Sequence, residues 1–355
     1  LRGLTVRGTV KIWNTDLAAI GMFWVKQQES LDQQCRPDSL LSRYIDAIYE
    51  PFWKRELDVE SLQVIEGVLI KIGADVTGFR DYALGVGEDF NAEFQKAAFA
   101  AGVYGVPTYI VADTDGASTH RYFGREHLPR IAWHLTGAQD QAPDVAYEGV
   151  AGAQQLGPVA KRLVVCVDFK SPAAYLAVQP TIDMARDIGA HLEWQIIATP
   201  ALREPTEPGS DTDRGVLHKA IRGRYLAEDL QRYAPHALVN LYDTQRSDLA
   251  AIGLLWLIEQ RADADAYIRA VFARYWRQHE GIDTAMDIAE VLVGLGVEVA
   301  GFAAFAEGLG KVRAEAMRED LATQGVSSSP TYLIDSEPFQ GRQHLPLLRN
   351  MIAGV

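Results

Sequence analysis

The residues with the most to offer chemically are hydroxyls and prolines at element boundaries, not thiols. Ser171-Pro172 follows the apolar run Arg162–Val167 and opens a segment of helical spacing from Ala173 to about Ile188. Serine is a favoured N-cap and proline is favoured at the first helical position. A helix start offers free N–H groups and the positive end of the helix dipole, which favour an anion. A serine there forms no disulfide, but its hydroxyl can donate to a thiolate brought by another molecule. Two further turns stand out, Ser329-Pro330-Thr331 and Val106-Pro107-Thr108, each a proline directly before a strand. Downstream of them lie Gly341-Arg342-Gln343-His344 and Gly124-Arg125-Glu126-His127, at helix openings. His127 and His344 read as surface polar residues in a first helical turn.

Other chemistries find no support. The cysteines, Cys35 and Cys166, lie far apart and fit neither C-x-x-C nor a metal-ligand spacing. Cys166 sits in an apolar run and reads as a buried small hydrophobe. The eight histidines are scattered, so no metal site is expected. There is no G-x-S-x-G elbow, and Gly85-Val86-Gly87 is neither a Walker loop nor a dinucleotide fingerprint. Trp53 and Trp276 read as core residues of apolar helical stretches.

A formal charge of -13 argues against nucleic acid and anionic membrane surfaces as partners. No apolar run reaches the ~18 residues of a membrane span. A length of 355 residues with 48% apolar content suits a globular protein of two domains. The chain begins with Leu1 and shows no signal peptide.

The chain is internally repeated. At an offset of 223, Pro51–Ala112 lies on Arg274–Asp335 without a gap, matching Trp53 to Trp276, Gly78-Phe79 to Gly301-Phe302 and Pro107-Thr108-Tyr109 to Pro330-Thr331-Tyr332. At 217, Gly124–Pro129 matches Gly341–Pro346, which leaves six extra residues near Asp113–Gly116, read as a longer hairpin loop. At 232, Asp16–Gly21 matches Asp248–Gly253, which leaves a nine-residue insertion around Gln28–Ser39. The second copy begins near Lys161, and this sequence holds no first-copy counterpart to Lys161 through about Asp229.

The complete copy reads as a strand (Arg162–Val167), a helix, a strand (Leu192–Ile197) and a polar loop (Glu204–Arg214). A helical stretch from Val216 to Leu321 follows, then a strand (Thr331–Ile334), a tight turn, a short strand at Pro338-Phe339 and a last helix from about His344. The expected organisation is a first domain at 1–138, incomplete at its start, a linker at 139–159, and a second, complete domain at 160–355.

The order β-α-β, helical insertion, β-β-α resembles a thioredoxin-like fold of the DsbA branch. Asp168-Phe169-Lys170-Ser171-Pro172-Ala173-Ala174-Tyr175-Leu176-Ala177 resembles the D-F-x-S-P-x-x-Y-L-A turn of 2-hydroxychromene-2-carboxylate isomerases and kappa-class glutathione transferases. The implied fold class is α/β, with tandem thioredoxin-like domains that each carry a large helical insertion. By the resemblance, Ser171 stands at the nucleophilic cysteine position of C-P-x-C relatives and Ala174 at the resolving one. Pro330 and Pro107 are implied to be cis, with Ser329 and Val106 offering backbone groups to the cysteinyl part of glutathione. Relatives carry an acidic residue at the last helix opening for the γ-glutamyl ammonium. Glu126 keeps one, whereas Gln343 and His344 depart from the pattern. The implied activity is a glutathione-dependent isomerase or transferase acting on a small electrophilic aromatic keto-acid. The alternatives are a thiol–disulfide oxidoreductase whose C-x-x-C precedes Leu1, and a redox-inactive binding module. Homodimers of relatives imply a homodimer or a pseudo-dimer within the chain. A cytoplasmic location is expected from the glutathione chemistry, with the periplasm open.

Overall fold

The computed structural model describes residues 3–8, 10–112, 118–147, 162–206, 214–243 and 246–353. The loop expected at Asp113–Gly116, most of the polar loop at 204–214, the linker from 148 onward and Lys161 lie outside those residues. The chain divides into two compact units, Leu1–Val103 and Tyr104–Val355.

The first unit is helical: α1 (Asp16–Lys26), α2 (Leu31–Gln34), α3 (Leu40–Trp53), α4 (Leu62–Ile72), α5 (Phe79–Ala83) and α6 (Val86–Ala100). Its boundaries follow local chemistry. Ser39 and Ser61 cap α3 and α4 by accepting from the backbone N–H three residues on, and Gly73 ends α4 in the left-handed region at φ 83°. The nine-residue insertion is a self-capped turn: Ser30 and Gln33 exchange side-chain and backbone hydrogen bonds in a capping box around α2. Ile20, Val25, Ile65, Leu69 and Phe79 form the centre of the core. Trp53, expected in a core, is only half-buried at the end of α3.

The second unit opens with a hairpin, β1 (Thr108–Ala112) antiparallel to β2 (Thr119–Phe123), and α7 (Leu128–Leu135). Then come β3 (Arg162–Val167), α8 (Pro172–Ile188), β4 (His191–Ile196), α9 (Arg214–Tyr233), α10 (Asp248–Glu259), α11 (Ala264–Trp276), α12 (Ala285–Gly294), α13 (Phe302–Glu307), α14 (Leu309–Thr323), β5 (Thr331–Ile334), β6 (Glu337–Gln340) and α15 (Leu345–Ala353). The four-stranded sheet has the order β4-β3-β5-β6, with β3 parallel to β4 and antiparallel to β5. The expected elements are present, with the last helix entered through a 3-10 turn at Arg342–His344. β3 is central and covered on both faces. Leu163, Val165 and Val167 face the large core with Phe272 and Trp276, while Cys166 faces Leu321, Val326 and Leu333. Both cysteines are free, Cys35 exposed and Cys166 buried.

Hydrogen bonds recur at the offsets found in the sequence. Tyr44 Oη donates to Ala18 O at 2.8 Å, and Tyr267 Oη to Ala250 O at 2.7 Å. Trp24 Nε1 donates to Asp75 O at 2.6 Å, and Trp256 Nε1 to Glu298 O at 2.8 Å. Both Val106–Pro107 and Ser329–Pro330 are cis, and the proline carbonyls accept from Gly124 N and Gly341 N. Gly21 and Gly253 sit under Tyr44 and Tyr267, where a Cβ would overlap the phenol oxygen and the isoleucine beyond it, Ile65 or Ile288. Gly253→Ala is therefore expected to lower unfolding stability by about 2–3 kcal/mol, as overpacked cores do. Urea denaturation checks this, and an unchanged midpoint would show that Tyr267 moves aside freely.

Candidate functional site

β3 carries the chain to Val167, and a turn of three residues, 168–170, delivers Ser171 to the start of α8. Ser171 has the extended backbone of an N-cap (φ -81°, ψ 116°), and its Oγ accepts from Ala174 N at 3.3 Å. The same Oγ donates to Ser329 O at 3.1 Å, across from the cis Ser329–Pro330 bond. Ser329 answers in the other direction, its Oγ accepting from Asp168 N at 2.7 Å. The two turns singled out in the sequence are thus stitched together by two hydrogen bonds. Ser171 and Ser329 are half-buried, and Pro330 is buried.

Beneath this junction lies a carboxylate for which the sequence pattern suggested no role. Asp168 is fully buried. Its Oδ1 accepts from Lys170 N at 3.1 Å and Ser247 Oγ at 3.0 Å, and its Oδ2 from Thr199 N and Thr199 Oγ1, both at 2.7 Å. The Lys170 ammonium stands 3.9 Å away. Four donors and a nearby cation offset the cost of burying a carboxylate. The signal available in the sequence was an aspartate ending an apolar strand run. Its partners, 31 and 79 residues on, were not legible.

One turn along α8 from Ser171, Tyr175 stacks on Trp276 at 5.9 Å between ring centroids. Its Oη lies 3.2 Å from His236 Nε2. Trp276 is itself fixed by donating from Nε1 to Phe169 O at 2.9 Å, inside the turn that leads to Ser171.

The remaining expected site residues fall elsewhere. Val106 and Pro107 are exposed, Val106 by 82%. Glu126, Gln343 and His344 meet a strap formed by residues 144–147. Ala146 N donates to Glu126 O at 2.9 Å and Tyr147 N to Gln343 O at 2.8 Å, at sequence-equivalent positions. Arg342 holds the strap by a bidentate pair to Asp144, with Nη2 to Oδ1 at 2.7 Å. The Tyr147 ring lies 4.8 Å from that of His344 and beneath the Arg125 guanidinium at 4.3 Å. Burial pushes the Glu126 carboxyl up, and burial followed by Arg125 holds the His344 imidazole down.

The expectation that His127 is a surface residue is overturned: it is 2% exposed. Helix α9 covers it, with His127 Nδ1 at 2.8 Å from Tyr233 Oη and Nε2 at 3.4 Å from Tyr225 Oη. Tyr225 Oη also accepts from Phe123 N at 2.6 Å, fastening β2 to α9. Burial, then the charges of Arg232 and Arg342, lowers the His127 pKa to about 4. Burial raises that of Asp229 to about 6, outweighing the Arg232 guanidinium 2.5 Å away.

The family description DSBA-like thioredoxin domain matches residues 162–353, more than half of the chain. Comparison with curated proteins gives no match. Among solved structures, the chain is similar to a 2-hydroxychromene-2-carboxylate isomerase at 23% identity and TM-score 0.41, over 54% of this chain and 95% of that one. It is similar to the cytosolic disulfide reductase DsbM from Pseudomonas aeruginosa with GSH at 14% identity and TM-score 0.38, over 54% and 96%. It is also similar to DsbA from Pseudomonas aeruginosa at 17% identity and TM-score 0.34, over 59% and 88%. No helix among the described residues is long and apolar enough to cross a membrane.

Asp168→Asn would turn amide protons toward groups that are already donors. A loss of about 2–4 kcal/mol in chemical denaturation is expected, and a loss under 0.5 kcal/mol would deny Asp168 its structural part. The His127 and Asp229 shifts act in opposite directions. The raised Asp229 contributes stability that is present below about pH 3.8 and lost as pH rises through about 6. The depressed His127 contributes stability that is present above about pH 6.5 and lost as pH falls through about 4. In Asp229→Asn the first contribution is gone, so the variant loses stability relative to wild type as pH drops from 6.5 to 4. Denaturation midpoints at several pH values test this, and a constant difference would contradict it.

Proposed function

The chain belongs to the DSBA-like thioredoxin domain family, and within it we propose a glutathione-dependent isomerase or transferase acting on a small electrophilic keto-acid. One observation carries the reading. The hydroxyl of Ser171 stands at the N-terminus of the 17-residue α8, against the carbonyl before a cis proline, where dithiol relatives place a reactive cysteine. Ala174 holds the resolving position, and the thiol of Cys166 is buried and pushed up to about 12 by desolvation. Neither supports dithiol exchange in this copy.

The residues present fit the thiol end of glutathione. The start of α8 presents roughly half a positive charge, and Ser171 Oγ already donates in this position. It needs only to turn from Ser329 O to an arriving sulfur. The chemistry glutathione supplies when bound is a nucleophilic thiolate, added to and later expelled from an unsaturated keto-acid. Ser171 would hold that sulfur ionised, Ser329 would orient the cysteinyl backbone, and Pro330 would keep the turn open to it. The γ-glutamyl end fits less well, because Gln343 and His344 lie against the strap. That covering favours a second reading, a redox-silent binding module.

The recurring hydrogen bonds support reading the chain as two copies, at 1–138 and 160–355, joined by a linker, and a pseudo-dimer within one chain or a homodimer is the assembly proposed for them. Dependence on glutathione would suit the cytoplasm.

Calorimetric titration with glutathione separates the readings. Wild type is expected to bind, and Ser171→Ala to bind about 10- to 100-fold more weakly, as loss of a hydrogen bond to a charged group implies. Absence of binding to wild type would leave the binding-module reading in its place.

A further inference from the structure

Between the second turn of α8, the loop after α9 and the end of α11 lies an open cavity of about 640 Å³, within the range of ligand sites. Tyr175, His236, Arg277 and His279 line it, with Pro235 and Val239 as apolar flanks, and its described lining holds no carboxylate. In a chain of net charge -13 that balance is unusual. The nearest acid along the chain, Glu280, is drawn away to Arg274 at 3.1 Å.

Two donors on this wall are uncommitted. His236 Nε2 lies 3.2 Å from Trp276 O and 3.2 Å from Tyr175 Oη. A carbonyl only accepts, so Nε2 carries the hydrogen and cannot accept from the phenol. Tyr175 Oη is therefore the acceptor of that pair, and its own hydrogen has no acceptor among the described residues. Burial raises the Tyr175 pKa and the Arg277 charge opposes this only in part, so the phenol keeps its proton at neutral pH. The second donor is Arg277 itself. It is exposed, and its side chain makes no hydrogen bond or ion pair among the described residues.

The internal repeat supplies a control. A cation at the end of this helix is expected from the helix dipole alone, and the first unit carries Lys54 where the second has Arg277, at the offset of 223. Lys54, however, is paired with Glu50, and Glu56 adds a second acid nearby. At the same offset the second copy has Ala273 for Glu50 and His279 for Glu56. Both carboxylates that answer the cation in one copy are absent in the other, and there the cation faces a cavity.

We infer that this cavity binds a small carboxylate with an apolar body, its charge on Arg277, one oxygen on the Tyr175 hydroxyl and its body against Val239 and Pro235. None of these contacts involves Ser171 or Ser329, so the inference goes beyond the proposed activity and stands whether or not glutathione binds. Sodium phenylacetate is the probe, titrated into the full chain at low salt and followed by calorimetry. Saturable binding is expected in wild type, and about 5- to 10-fold weaker binding in Arg277→Ala and in Tyr175→Phe, as loss of one partner of a partly exposed charged contact implies. Arg277 is exposed and Tyr175→Phe keeps the ring, so both variants retain the core. Ser171→Ala is expected to bind phenylacetate as wild type does. No saturation in wild type, or unchanged affinity in Arg277→Ala, would overturn the inference. So would a loss confined to Ser171→Ala, which would place the anion at the start of α8 instead. Equally tight binding of the neutral phenylacetamide would overturn the role of charge, and equally tight binding of inorganic phosphate would overturn the carboxylate class.

Discussion

A carboxylate with no exposed surface must have its lone pairs answered from within the protein, and Asp168 draws its donors from three separate parts of the fold. Lys170 belongs to its own turn, Thr199 follows β4, and Ser247 precedes α10. The backbone N–H of Asp168 adds a fourth part through Ser329, at the cis proline before β5. Sheet, helical insertion and proline turn therefore converge on one residue at the end of the central strand. The position of Ser171, three residues further on, follows from that convergence. A buried ion of this kind adds little net stability against an apolar substitute, but an incomplete donor set around it is strongly disfavoured. It thereby selects one arrangement of the surrounding turns.

The same local pattern gives different surroundings in the two hairpins. β5 is flanked by β3 and β6, so Leu333 is 6% exposed. Among the described residues β1 pairs only with β2, and the matching Ile110 is 59% exposed. Sequence similarity carried the turn, the cis proline and the hairpin register. Burial depended on which strand lies alongside.

That contrast explains what could be read in advance. Ser171-Pro172 announced a helix start because capping is decided within four residues, and Ser30 and Gln33 obey the same local rule. The succession of strands and helices along the chain was legible from local pattern, whereas the pairing order β4-β3-β5-β6 came from the structure. Trp276 reached the core as expected, whereas Trp53, at the matching position of the repeat, did not. His127 looked like a surface residue because the helix that buries it lies about a hundred residues downstream. The donors around Asp168 and the strap over Gln343 are likewise products of tertiary packing. No spacing in the sequence encodes them.

The strap has a consequence for any affinity measured near Gln343. Residues 144–147 are part of the same polypeptide, so their concentration at that site is set by tethering and does not fall on dilution. A ligand directed at the same backbone would compete with this tethered occupant. Its apparent dissociation constant is the intrinsic one divided by the fraction of time the strap stands away. Arg342 and Asp144, which pair across the strap, would then tune the affinity of such a ligand from outside its own contacts.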